Sequence, residues 1–366
     1  METIVVIGGG PAGLEAAATA AELGSRVVLI EQREFLGGAP IVENYAALTP
    51  RMENAEAAMG RLIDRVRPND LIDVRTGFEV RAVEGSVGAF QLTISPADGS
   101  GDGENGGDGE DGGGAVEVIE CGSVIIASGF QHFDPGGETQ MYGYYEHSDV
   151  IALQDLEAML KDGTVVRPSN GEAPEKLCFI QCVGSRDRQI GNEYCSKVCC
   201  GVASKNAIEI RQLLPDCKVF IFYIDMRMYG YWENEIYWPA QEKHRVQYIK
   251  GMVTEVLPKG DKLLVRGEDT TMGRPMEVPM DLVVLSVGME PSPGTRTLAH
   301  LFGVQANCYG FIESVRAPMD VVTTSVPGVF ACGAALGPAD LEDCASSGAA
   351  SAAKAIMSVR LHVSAG

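Results

Sequence analysis

Basic residues are scarce in this sequence. Lys and Arg total 29 against 50 Asp and Glu, a net charge of −21 over 366 residues. A chain so short of cations repels phosphate backbones and anionic lipid surfaces, so nucleic-acid binding is not expected. Long apolar runs are missing too. None approaches the ~20 residues that cross a bilayer, and no direct membrane span is expected. The opening METIVVIGGG has no basic n-region and runs straight into a glycine turn, so it reads as a first strand and not as a signal peptide. With no secretory signal, the 10 cysteines argue against a disulfide framework. In a cytoplasmic chain they serve metal or redox work, or are ordinary buried thiols. No two of them stand as C-x-x-C, the spacing of a redox dithiol. What is present is ordinary for a globular chain, with 45% hydrophobic and 22% charged residues. The length suits about two domains.

One stretch stands apart. From Asp98 to Gly114 the chain is rich in glycine and acid and holds no base, so it cannot build a core and reads as a flexible acidic loop. Asp98, Ser100, Asp102 and Gly103 fit the opening of a calcium loop. The last ligand position is then Gly109, where a Glu is needed. The runs on either side, FQLTIS and AVEVIE, read as strands, which makes the loop an enlarged hairpin tip. Elsewhere β-branched runs alternate with helical stretches, the pattern of an α/β fold with parallel sheets. TIVVIG, PAGLEAAATAAELG and RVVLIE form a βαβ unit. A second unit starts near Glu175, with KLCFIQCVG, CCGVASKNAIEIRQLL and KVFIFYID as strand, helix and strand. SVIIASG and DLVVLSVG repeat one plan, an apolar run closed by a small residue and Gly. The expected architecture is α/β, with tandem Rossmann-like domains. Residues 1–150 and 290–366 form the first and 170–289 the second.

Gly8, Gly10 and Gly13 make G-x-G-x-x-G between the first strand and the first helix. The first glycine permits the tight turn, the second lets a pyrophosphate approach the backbone, and the third lets helix and strand pack closely. The helix N-terminus offers amides and the positive end of its dipole to the phosphates. Glu31 closes the second strand 18 residues after Gly13, where a carboxylate can accept both ribose hydroxyls. A bound dinucleotide is therefore expected. LGG, at Leu36, Gly37 and Gly38, offers bare backbone to a second bulky group. IIASG, with Ala127, Ser128 and Gly129, and GVFACG in the tail resemble two further contacts of flavoproteins with two dinucleotide-binding domains. That resemblance implies FAD. It extends the contacts to Pro11, Ala12, Gln32, Val80 and Gly333. The acid that follows the last glycine in that pattern is Ala334 here, with Asp340 or Asp343 as a substitute. The tail helix is expected to aim amides near Cys344 and Ala345 at the pyrimidine edge of the flavin, stabilising negative charge there.

Where a second nucleotide loop would stand, the chain reads QCVGSRDRQIGNEYCSKVCCGVASK, with Cys182, Cys195, Cys199 and Cys200 and no glycine fingerprint. A vicinal Cys199–Cys200 disulfide is strained. Zinc usually takes two C-x-x-C-like hooks, and one lopsided group stands here. An iron–sulfur cluster needs four thiolates and tolerates irregular spacing. Cys195 and Cys199 lie one helical turn apart, and Cys182 ends the preceding strand. Spacing favours the cluster, with zinc and plain buried thiols as alternatives. Cys121, Cys178 and Cys332 sit in strand runs and read as small buried side chains, while Cys217 and Cys308 are isolated.

QCVGSRD followed by YCSKVCC closely resembles the central part of the A subunit of heterodisulfide reductase. YIDMRMYG and FACGAALGPAD follow that family's pattern as well. The resemblance spans essentially the whole chain outside the acidic loop. It implies FAD together with a [4Fe–4S] cluster held by Cys182, Cys195, Cys199 and Cys200 in the second domain, close to the flavin. It also implies that Lys205 lies beside the flavin ring as a catalytic cation or proton donor. Without the family, Lys205 reads as a solvated helix lysine. Arg186, Asp187, Asp225 and Arg227 read as an ion-pair network holding the cysteine loop, and MYGYWENEIYWP as a flap or a protein interface.

No C-x-x-C-x-x-C run occurs, and the stretch after Gly38 holds no cysteine. The chain is thus most similar to the short A subunit of the heterodisulfide reductase-like complex of sulfur-oxidising prokaryotes. The implied function is electron transfer in sulfur metabolism, from two-electron flavin chemistry to one-electron transfer toward partners resembling the heterodisulfide reductase B and C components. NAD or a lipoate-binding protein belongs to the implied pathway, and a cytoplasmic homodimer to the implied assembly. The alternatives are the flavoprotein subunit of a quinone-interacting membrane-bound oxidoreductase, a free-standing NAD(P)H-dependent flavin reductase, and a non-catalytic flavin scaffold.

Overall fold

The structure is a computed structural model that describes residues 3–97, 116–138, 141–316 and 318–365. The acidic loop at 98–114 lies outside the described residues. The chain divides into two compact units, one of residues 1–38, 59–131 and 290–366, the other of residues 39–58 and 132–289. Residues 39–58 and 132–150 therefore belong to the second unit, not to the first domain where the sequence pattern puts them. The physical reason is long-range pairing. Val150–Ala152 is an edge strand parallel to Leu282–Val287, with Val150 opposite Val283. The Ala46 N–H donates to Glu157 at 3.1 Å, across 111 residues of chain.

In the first unit a parallel sheet runs in the order Val329–Ala331, Ser123–Ile126, Thr3–Ile7, Arg26–Glu31, Ile72–Thr76. Thr3–Ile7, Ser123–Ile126 and Val329–Ala331 are buried almost throughout because both faces are covered, while the edge strand Ile72–Thr76 is largely open. On one face the helices Pro11–Glu22 and Leu341–Ala365 pack through Ala16, Ala17, Ala20, Ala352 and Ala355. Small side chains let the two backbones approach closely. A Cβ added at Gly348 would lie 2.5 Å from the Ala12 carbonyl oxygen. The other face carries an antiparallel sheet of Phe78–Ser86, Ala89–Pro96 and Glu117–Cys121, together with the helix Pro293–Phe302. Phe90 stands opposite Cys121, so the two runs flanking the acidic stretch pair as a hairpin.

In the second unit the parallel order is Val150–Ala152, Leu282–Val287, Lys176–Val183, Lys218–Tyr223 and the start of Gln247–Lys259. The sheet then continues antiparallel through Lys262–Asp269 and Arg274–Met280. The helix Cys199–Leu213 covers one face, where Leu177, Phe179 and Val284 of the sheet meet Ala203, Ala207 and Ile210. The register between Lys176–Val183 and Leu282–Val287 shifts between Ile180 and Val183. That irregularity puts Cys182 at the carboxyl end of the sheet, where open α/β folds place ligands. Among the described residues no helix is long and apolar enough to cross a membrane.

Candidate functional site

The glycine loop separates glycines needed for packing from one that packing does not need. Gly8 has φ +115, and a Cβ there would lie 2.3 Å from the Ala127 carbonyl oxygen. A Cβ on Gly13 would lie 1.9 Å from the Gly8 carbonyl oxygen. Gly10 differs. Its φ is −80, open to any residue. A Cβ there would meet Gly38 Cα at 3.6 Å, an ordinary contact. Neither the backbone nor the described neighbours demand a glycine at this place.

Glu31 is buried at the end of its strand. Its Oε2 accepts from the Gly9 N–H at 2.6 Å and its Oε1 from the Arg33 N–H at 2.9 Å. The two amides orient the carboxylate, with lone pairs left over. The Gly37 N–H donates to the Gly9 carbonyl at 2.8 Å, which brings Gly37 and Gly38 onto the loop, while Gln32 is exposed. Pro11 opens the helix, and Ala12 packs beside Gly333, where a Cβ would lie 2.6 Å from the Ala12 Cβ. The Ala127 N–H donates to the Ile7 carbonyl at 2.8 Å. The Ser128 hydroxyl lies 2.7 Å from that of Thr295, and Gly129 has φ +74. Val80 is a buried core residue paired with Ile94, just before a register shift.

The tail departs from expectation in two respects. Asp340 and Asp343 cap each other. The Asp340 N–H donates to Asp343 Oδ2 at 3.0 Å and the Asp343 N–H to Asp340 Oδ1 at 2.8 Å. This reciprocal box starts the helix Leu341–Ala365, so neither acid is spare to replace the one missing at Ala334. The Cys344 N–H donates to the Asp340 carbonyl at 2.9 Å. That amide closes the first helical turn instead of facing a ligand, and Ala345 is one residue further in.

The cysteine loop runs from Cys182 to Cys200. Non-glycine residues rarely adopt left-handed φ, and where they do the strain marks functional sites. Cys182 at φ +65, Arg186 at +57 and Lys197 at +62 all do so within this loop. The Lys197 N–H donates to Cys195 Sγ at 3.3 Å. The Arg186 guanidinium reaches Cys182 and also pairs with Asp225, which Arg227 approaches at 3.6 Å. Asp187 stands outside that ion-pair group and bridges through its backbone to Asn192. Cys182, Cys199 and Cys200 each feel the charge of others in the set. Burial first, then repulsion from its neighbours, pushes Cys199 well above the ordinary thiol value. Burial is also the main cause that lifts Cys200 to about 11. Among the described residues no three His, Cys, Asp or Glu side chains gather closely enough for a single metal ion.

Cys121, Cys178 and Cys332 are buried free thiols, and burial pushes Cys121 and Cys332 up to about 12. Lys205 is not a solvated helix lysine. It is 1% exposed, and its Nζ lies 2.7 and 2.9 Å from the two Glu157 oxygens and 3.0 Å from Glu209. Glu157 escaped the sequence reading because it lies 48 residues from Lys205. Glu209, one helical turn on, carried the only local signal.

Residues 2–176 match the family model of the pyridine nucleotide-disulphide oxidoreductases. The A subunit of the H2:CoB-CoM heterodisulfide,ferredoxin reductase of Methanothermobacter marburgensis is 31% identical over 417 residues, a match that covers 96% of this chain. The chain is similar to the A subunits of heterodisulfide reductases over nearly its whole length. The iron-sulfur A subunit of the CoB–CoM heterodisulfide reductase of Methanocaldococcus jannaschii is likewise 31% identical, over 426 residues. The chain spans less than two thirds of these relatives' own length, 63% and 64%. Both alignments are longer than the chain, so the relatives carry internal insertions that it lacks. A thioredoxin reductase of T. acidophilum shares the fold, with TM-score 0.62 and 20% identity over 98% of this chain and 99% of that one. The heterodisulfide reductase A-subunit family is thus one of flavin-dependent oxidoreductases on a two-dinucleotide-binding α/β scaffold, and FAD is the cofactor that the first unit's loop fits.

Proposed function

We propose that this chain is an electron-transfer subunit with FAD in its first unit and a [4Fe–4S] cluster on Cys182, Cys195, Cys199 and Cys200 in its second. The cysteine loop carries this reading. Four cysteines stand in one loop at the carboxyl end of a parallel sheet, on a backbone held left-handed at Cys182, Arg186 and Lys197. A nucleotide fold normally keeps that place for phosphate. When bound, FAD supplies two-electron chemistry and the cluster one-electron steps, so the pair converts one into the other.

The chain's own residues set the conditions. Gly10 admits the pyrophosphate, and Glu31, held by the Gly9 and Arg33 amides, orients the ribose. Burial raises the Cys182 thiol and Arg186 partly offsets it, while the Lys197 amide donates to Cys195 Sγ. Lys205 is enclosed by Glu157 and Glu209, so any proton it exchanges passes through those carboxylates. The family relatives' names speak of a heterodisulfide, which supports a sulfur substrate handled on partners resembling the B and C components. The internal segments missing here support a compact form, as in a heterodisulfide reductase-like complex of sulfur metabolism.

Anaerobic purification with iron, sulfide and flavin counts tests the reading. About four iron per chain are expected. Cys199→Ala should lose the iron and keep FAD, and a full iron count in that variant overturns the ligand set.

A further inference from the structure

The second unit holds a row of proton-carrying side chains that runs from half-buried His132 to buried Lys205. His132 Nε2 lies 2.5 Å from Glu43 Oε2, and the Tyr45 hydroxyl donates to the same oxygen at 3.2 Å. Tyr45 is next in the chain to Ala46, whose N–H donates to Glu157 at 3.1 Å. Burial first, then Glu43 and Glu157, pushes the Tyr45 phenol well above its ordinary value, so the phenol feels both carboxylates. Glu157 accepts from the Lys205 ammonium at 2.7 and 2.9 Å, and Glu209 closes on that ammonium at 3.0 Å. All of these residues belong to the second unit.

The order of the groups is what a proton path requires. Imidazole, carboxylate, phenol, carboxylate, ammonium and carboxylate alternate groups that give a proton with groups that accept one. The carboxylates of Glu43, Glu157 and Glu209 share the single permanent cation of Lys205, and that negative excess draws a proton inward. Lys161 also reaches this segment, but Asn44 at 3.0 Å and Glu56 at 2.7 Å hold its ammonium. Exposure falls along the row. The His132 and Glu43 side chains are 18% and 23% exposed, those of Glu157 and Lys205 3% and 1%. Fastening residues 39–58 to the unit needs no titratable phenol beside two carboxylates.

We propose that His132, Glu43 and Tyr45 form a proton relay between solvent and the buried Glu157–Lys205 pair. The inference rests on the reading of Lys205 as a group that exchanges a proton, and it adds the route. A proton from water enters at His132 and passes to Glu43. The Tyr45 hydroxyl takes it up as its own proton goes to Glu157, and Glu157 delivers that one to a Lys205 amine that has given a proton away. One N–H bond is remade at Lys205, every other group ends as it began, and no electron moves.

The test reads Lys205 itself, by the solvent exchange of its ammonium protons in nuclear magnetic resonance of the full chain carrying isotope-labelled lysine. Lys205→Arg assigns the signal. Glu209, 17% exposed, is a second way out, so the comparison is made on a Glu209→Gln background. Tyr45→Phe, which removes one oxygen, and His132→Gln are each expected to slow the exchange roughly 100-fold, the lower end of what a positioned proton-transfer group contributes. The Lys161 signal is the internal control and should keep its rate. Exchange at Lys205 that is equal in the variants and their parent overturns the relay and leaves Lys205 as a proton carrier. Faster exchange in Tyr45→Phe marks the phenol as a packing residue and overturns the relay as well. A Lys205 signal without exchange in any of these proteins removes the proton-carrier reading, and the relay with it.

Discussion

Both carboxylate oxygens of Glu157 accept from the Lys205 ammonium, at 2.7 and 2.9 Å, where neither side chain is more than 3% exposed. Glu157 also accepts from the Ala46 N–H, and Glu209 closes on the same ammonium at 3.0 Å. Burial pushes the Glu209 carboxyl up, and Lys205 only partly offsets it. One cation thus serves two carboxylates inside the second unit.

Removing that cation leaves buried negative charge without compensation. Lys205→Met is expected to cost roughly 3–5 kcal/mol, the range for breaking a buried pair from one side. The double change Lys205→Met with Glu157→Leu should recover much of it. Urea denaturation of the full chain measures both. A single-variant loss below about 1 kcal/mol, the worth of a surface pair, would show that the pair is solvated.

The glycine loop predicts a split between two single changes. Gly8→Ala meets the Ala127 carbonyl at a φ of +115 and should lose stability, roughly 1–3 kcal/mol or more. Gly10→Ala has room within the protein and should stay within about 0.5 kcal/mol of the wild type. The same Gly10→Ala should weaken FAD by about tenfold or more, the equivalent of about 1.4 kcal/mol. Equal FAD affinity in Gly10→Ala would remove the phosphate from that place.

The helix cap gives the opposite pattern. Asp343→Ala breaks the reciprocal bonds with Asp340 and should lower stability by about 1 kcal/mol with FAD affinity unchanged. Fluorescence titration of flavin decides it, since a large affinity loss would return Asp343 to the flavin site.

Asp281 makes acid stability readable. Burial raises its carboxyl, but the Lys262 ammonium at 2.8 Å and the amides of Lys176 and Glu175 outweigh it and hold the group below the ordinary value of 3.8. A depressed folded value means that its contribution is complete above the unfolded value and is lost as pH falls through the folded one. Between about pH 5 and about pH 3 the wild type should therefore lose stability more steeply than Asp281→Asn. Parallel slopes in acid denaturation would contradict the bridge.

Local pattern was enough for much of this molecule. The two βαβ units, the glycine turn, the carboxylate ending the second strand and the alanine-rich tail helix all announce themselves within windows of about 30 residues, because each depends on periodicity, turn chemistry and neighbours near in sequence. The irregular cysteine spacing was legible as well.

Three-dimensional packing decided the rest. Residues 39–58 join the second unit through a hydrogen bond across 111 residues, Lys205 is buried by a glutamate 48 residues away, and the Trp232 ring fills the space beside Gly201. No local rule announces such contacts, because a side chain's partner and its exposure are properties of the closed fold. Sequence alone determined which chemistry the chain can carry. The tertiary structure decided which acids cap a helix, which lysine is buried among carboxylates, and which aromatic ring packs on the cysteine helix.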